Sequence, residues 1–280
     1  MINILLTILC STSIALILKQ NSVKSGSSIV LLTANYFAAT VISLFMLSNE
    51  LPENFEIPII LFGCLVGGLF VISFFAFSRA VGNAGTGLAT TSSRLSVIVP
   101  VILSMLVLKE MPGVLQTIGL FGALVTIILF YFSLKNEKGN KENRKAYFYL
   151  FGVLVGIGIG DFCMKIFESQ FVDSEKSLFL LSIFGSAFCY TLIISLISRK
   201  KFDQKTISLG LLLGIPNIFS SYFLINALTE FKAVIVFPIV NIGIILLTTL
   251  LAIIIWKEKI NNEGILALVV GIFAIVLLSL

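Results

Sequence analysis

AVIVFPIVNIGIILLTTLLAIIIW, residues 233–256, runs through 24 positions without a charged side chain. As an α-helix rising 1.5 Å per residue, such a run reaches about 36 Å, enough to cross a hydrocarbon core of roughly 30 Å. Its apolar residues are continuous and do not alternate with period two, which argues against a transmembrane β-strand. Similar runs, cut at charged or Gly/Asn-rich breaks, lie near 2–18, 29–48, 57–78, 85–107, 113–133, 146–167, 177–198, 207–227 and 264–280. Together they predict an all-α membrane protein of ten transmembrane helices. Composition agrees: 58% of the 280 residues are hydrophobic and 12% are charged, where a soluble fold carries about a quarter charged. Residues 2–18 lack a basic leader and precede many further spans, so they read as the first helix and not as a signal peptide.

The most polar connection, KNEKGNKENRK at 135–145, separates two similar halves. Gly63 and Gly67 in span 3 recur 147 residues later as Gly210 and Gly214 in span 8. Lys109-Glu110 recurs 148 residues later as Lys257-Glu258, and Gly122 recurs 149 later as Gly271. These spacings predict two five-helix repeats, 1–135 and 146–280, joined by a polar linker over 136–145. Because five is odd, the second repeat enters the bilayer from the opposite side, the inverted arrangement many secondary transporters use.

Orientation follows from the basic residues. Alternate connections, beginning with that between spans 1 and 2, carry 14 Lys/Arg; the opposite side carries Lys109, Lys165, Lys176 and Lys232. The positive-inside rule places the 14 in the cytoplasm and both termini outside. The formal charge of +5 is therefore a matter of topology, and nucleic acid is not an expected partner.

Small and polar residues inside the spans are the functional candidates. The pairs Gly63/Gly67, Gly152/Gly156 and Gly210/Gly214 each clear one helix face for close packing, while Gly156, Gly158 and Gly160 crowd span 6. Pro100, Pro216 and Pro238 each remove a backbone donor and predict kinks in spans 4, 8 and 9. Polar side chains concentrate at Thr90, Thr91, Ser92, Ser93 and Arg94, at Asn217, Ser220, Ser221 and Tyr222, at Asn241, and at Asn35 and Tyr36. From these, Asn35, Thr90, Ser93, Arg94, Asn217, Ser220 and Asn241 form the expected solute path; for the asparagines, helix–helix hydrogen bonds are the competing reading. Charge at mid-bilayer is costly, so Arg94 and Asp161 should face protein or water. Asp161, with Lys165 one turn later, is the candidate for an ion pair or for proton coupling. Glu110 and Glu258, at matched positions beyond spans 4 and 9, are expected to cap the following helix or anchor a loop. Cys10, Cys64, Cys163 and Cys189 read as buried thiols; with no histidine and no CxxC pair, a Cys/His zinc site is excluded and no cofactor is expected.

FFAFSRAVGNAGTGLATTSSRLSVIVPVILSMLVLKE at 74–110, followed by Gly119 and Gly122, resembles the drug/metabolite transporter superfamily in its EamA-type ten-helix branch. The second-half counterpart is FPIVNIGIILLTTLLAIIIWKE at 237–258, followed by Gly264 and Gly271. In that family each half typically ends in a Pro-bearing fourth helix, a terminal acid and a Gly-marked fifth helix. Pro100, Glu110 and Gly122 match in the first half, and Glu258 and Gly271 in the second; Pro238 lies earlier in its helix than Pro100 does. The resemblance implies an inner-membrane carrier of small metabolites, amino acids or drugs. It implies a central cavity lined by spans 3, 4, 8 and 9, near Arg94, Asn217, Ser220 and Asn241. It also implies cytoplasmic termini, opposite to the charge count.

A secondary transporter or exporter of a small polar or amphipathic solute is thus the expected function. Its partners are the bilayer and the solute, with a homodimer a further candidate. No G-x-x-x-x-G-K-[ST] loop occurs, which argues against direct ATP drive. A membrane-embedded enzyme would want H-E-x-x-H or a Ser/His pair, and the chain has no histidine. A channel-like or structural membrane protein is the remaining alternative.

Overall fold

A computed structural model of the chain describes residues 1–23, 27–49, 56–84, 86–135, 144–171, 175–199, 202–256 and 261–280. Among these the elements are helical: α1 (Ile2–Val23), α2 (Ser28–Asn49), α3 (Ile57–Ala84), α4 (Thr86–Leu95), α5 (Ile98–Val107), α6 (Val114–Lys135), α7 (Arg144–Gln170), α8 (Lys176–Ile197), α9 (Gln204–Glu230), α10 (Ala233–Trp256) and α11 (Asn262–Ser279). Helices α4 and α5 share one crossing segment, Ala89–Val107. The ten expected spans are therefore all present as a multi-spanning all-α membrane fold, and one of them is broken. Of the linker 136–145, residues 136–143 lie outside the described residues, as do Lys257 and Glu258.

Helix ends follow local chemistry. Asp203 precedes α9 and accepts the Thr206 backbone N–H at 3.1 Å, while Asn261 accepts that of Gly264 at 3.0 Å ahead of α11. Both satisfy donors that a first helical turn leaves unpaired. After α5, Lys109 adopts φ 56°, a left-handed turn that lets the Glu110 N–H return to the Ser104 carbonyl at 3.2 Å. Pro216 and Pro238 lie within continuous helices, so neither ends its span.

The chain forms two compact units, each drawing on both sides of the polar linker. One comprises Ile2–Ile72 and Ile166–Asn226; the other comprises Met1, Ser73–Lys165 and Ala227–Leu280. In the first, α3 meets α8 at Gly63 and Gly67: a Cβ at Gly63 would lie 2.5 Å from the Ser182 Cβ, and one at Gly67 2.5 Å from the Ile183 carbonyl oxygen. Helix α9 meets α2 in the same way, where a Cβ at Gly214 would lie 2.6 Å from the Asn35 carbonyl oxygen and one at Gly210 2.6 Å from the Ala34 Cβ. The absent side chains let these backbones approach where no hydrophobic drive separates helix from lipid. Asn217 donates to Asn35 at 3.1 Å across the α9–α2 contact, and the Ser220 and Ser11 hydroxyls are 2.6 Å apart. Phe167 and Phe179 stack with centroids 3.9 Å apart, closing the same unit.

In the second unit α10 packs against α5, α6 and α11, and α6 lies along α11. A Cβ at Gly119 would stand 3.1 Å from the Ala274 carbonyl oxygen, and one at Gly271 3.1 Å from Thr126 and Ile242 side-chain carbons. The expectation of four buried thiols holds fully only for Cys163. Cys10 and Cys64 are half-buried and Cys189 is exposed on α8; on an apolar helix an outward position faces lipid, which suits a thiol as well as a core does.

Candidate functional site

The break in the fourth span has an identifiable cause. Pro100 has no N–H and cannot return the hydrogen bond that the Ser96 carbonyl would accept in a continuous helix. That carbonyl instead accepts from the Val99 N–H at 3.0 Å, and the Val97 N–H returns to the Arg94 carbonyl at 3.3 Å. The helix therefore tightens at Ser96 and Val97, upstream of the proline, separating α4 from α5. The Ser96 hydroxyl donates to the Ser93 carbonyl at 2.6 Å, and that of Ser92 to the Leu150 carbonyl of α7 at 2.6 Å. Opposite the break stands Gly158 of α7: a Cβ there would lie 2.5 Å from the Val99 Cβ and 2.7 Å from the Ser96 carbonyl oxygen.

Arg94 occupies the last turn of α4, where the helix dipole favours a cation. Asp161 follows Gly158 by one turn of α7, on the face directed toward the break. Both side chains are half-buried and lie within electrostatic reach of each other. Among the described residues neither has an ion-pair or hydrogen-bond partner, so the direct Arg94–Asp161 pair weighed from the sequence is not formed. Half-helix ends in a broken span are how many transporters build a solute site.

Lys165, by contrast, is committed elsewhere. Its ammonium lies 3.1 Å from Glu110 and 3.3 Å from the Leu228 carbonyl oxygen. The second Glu110 oxygen accepts the Ala233 N–H at 2.6 Å. Glu110 therefore caps α10 and not the following helix α6, because the first N–H groups of α10 are the ones brought within reach. Lys232 donates to the Met111 carbonyl at 3.1 Å, tying the same two turns.

The other expected path residues are placed as follows. Thr90 and Ser93 are half-buried on α4. Asn241 is buried in the Arg94 unit and turned onto its own helix, donating to the Phe237 carbonyl at 3.1 Å. Asn35, Asn217 and Ser220 belong to the other unit, where they bond between helices. The sequence pointed to a kink at Pro100 and to crowded glycines at 156–160, but not to Gly158 standing against the Ser96–Val97 break.

Residues 144–280 match the EamA-like transporter family. The match spans the second half of the chain. The whole chain is 28% identical over 286 residues to an uncharacterized protein of Haemophilus influenzae, covering 98% of this chain and 96% of that one. A solved crystal structure shares this chain's fold with a TM-score of 0.80 at 13% identity, over 99% of this chain and 98% of the other.

Proposed function

We propose that the protein is a secondary transporter in the cytoplasmic membrane, and that it carries a small metabolite, amino acid or amphipathic drug-like solute bearing an anionic group. The observation that carries this reading is Arg94: a permanently charged guanidinium at the end of a broken span, half-buried and, among the described residues, in no direct hydrogen bond or ion pair. A solute carboxylate would supply the acceptors that the guanidinium fork lacks. Asp161, within reach of the same charge, would take up a proton as the solute occupies Arg94, so that solute and proton bind and move together.

The repeat reading supports alternation between two open states. Two reciprocal glycine contacts, α3 on α8 and α9 on α2, exchange corresponding helices of the two halves, as expected of two inverted five-helix repeats, 1–135 and 146–280. Superposition of the halves through an axis along the membrane normal would sink that part of the reading. Purified protein in proteoliposomes, tested across amino acids, nucleosides and organic acids, should show saturable flux and counterflow for an anion-bearing solute. Flux that never saturates and shows no counterflow would instead identify a channel.

A further inference from the structure

Helices α2, α8 and α9 line an open cleft of about 240 Å³ within one unit, remote in sequence from Arg94. Its floor is Val30, Thr33 and Ala34, all buried; Phe37, Phe202 and Leu211 stand at its edge, 47%, 46% and 38% exposed. The lining holds one hydroxyl, that of Thr33, which is already bonded to the Ile29 carbonyl at 2.9 Å and to Ser195 at 3.0 Å. A polar solute would find no free partner there. From Val30 to Phe37 the cleft follows two turns of α2, about 10 Å, so it suits a length of hydrocarbon chain.

The mouth of the cleft is basic. Phe202 lies in the connection between α8 and α9, whose sequence is RKKFDQK at 199–205. Arg199 and Lys205 are exposed. Arg199 is held at φ 47°, immediately after the last turn of α8. The one acid in this stretch, Asp203, is occupied by the Thr206 N–H and hydroxyl at 3.1 and 3.2 Å. An apolar slot at the end of a span, in a stretch where Arg199 and Lys205 outnumber the one described acid, Asp203, matches a single class of ligand: one anionic phospholipid, an acyl chain in the cleft and its phosphate at Arg199 and Lys205. We propose that this cleft is an anionic-phospholipid site distinct from the solute site.

Delipidated protein in detergent, titrated with phosphatidylglycerol or phosphatidylcholine of identical chains, tests this by thermal unfolding and native mass spectrometry. Phosphatidylglycerol should stabilise the protein at lower concentration and remain as one bound lipid. In Arg199→Gln/Lys205→Gln its apparent affinity should fall about thirtyfold, toward that of phosphatidylcholine, at two surface charges lost. Leu211→Trp, which fills the cleft from its exposed edge, should weaken both lipids while leaving the lipid-free melting temperature unchanged. Equal response to the two lipids in the wild type, or an undiminished phosphatidylglycerol preference in the double variant, overturns the proposal. So does a lipid-free dimer that Leu211→Trp converts to monomer, since the occupant would then be a second copy of the chain.

Discussion

Glu110 and Lys165 form an ion pair of 3.1 Å with side chains 14% and 8% exposed, and the same carboxylate caps α10 at Ala233. One side chain thereby joins the end of α5 to α7 and to the start of α10. A buried pair of this kind gives little net stability over apolar neighbours, yet removing one member leaves the other without compensation.

Glu110→Ala should therefore destabilise the protein by about 3–5 kcal/mol, and Glu110→Gln by less, since an amide oxygen can still accept from Ala233. Adding Lys165→Met to Glu110→Ala should recover part of that loss. Thermal unfolding of the four members of the cycle measures the coupling; strictly additive losses would show that the pair is not interacting.

The glycines divide into tight and loose positions. Gly67→Ala and Gly214→Ala should each cost roughly 1–3 kcal/mol, because the new methyl meets a backbone carbonyl that cannot rotate away. Leucine at either site should damage folding further. Gly68→Ala and Gly152→Ala, whose nearest neighbours would stand at 3.5 Å, should be tolerated. Expression and melting temperature compare the two groups, and equal tolerance would remove the close-contact role.

Arg94→Lys keeps the charge and loses the planar fork, so affinity for a carboxylate solute should drop without loss of fold. Arg94→Ala should abolish binding of that solute. Asp161→Asn should leave binding measurable and flatten the dependence of transport on pH. Wild-type transport by Arg94→Ala ends its role as anchor, and an unchanged pH profile in Asp161→Asn ends the proton-coupling role.

Asn217→Ala and Asn35→Ala should each lower stability by about 0.5–2 kcal/mol, the range for hydrogen bonds between membrane helices. Solute affinity should hold, because each amide serves the α9–α2 contact. A selective loss of affinity with unchanged melting temperature would return both residues to the solute path.

Much of the fold could be read without coordinates because bilayer crossing is a local requirement. A continuous run such as 233–256 must be helical in lipid, since each backbone group needs a partner within its own segment. Close packing at Gly63, Gly67, Gly210 and Gly214 was legible for a similar reason: a residue without Cβ announces a close approach before its neighbour is known. Pro100 announced a disturbance in its span, and the disturbance falls where the missing N–H leaves Ser96 seeking another donor.

Pairing between distant segments lay beyond that reach. Lys165 is one turn from Asp161 in sequence, yet its partner is Glu110, brought near by the packing of α5, α7 and α10. The same packing sends the Glu110 cap to α10 in place of α6, sets Gly158 against the break, and leaves Arg94 and Asp161 unjoined. Length and hydropathy act along the chain and belong to the residues themselves. Which charges meet depends on which helices become neighbours, and that is settled only when all the packing faces are satisfied together.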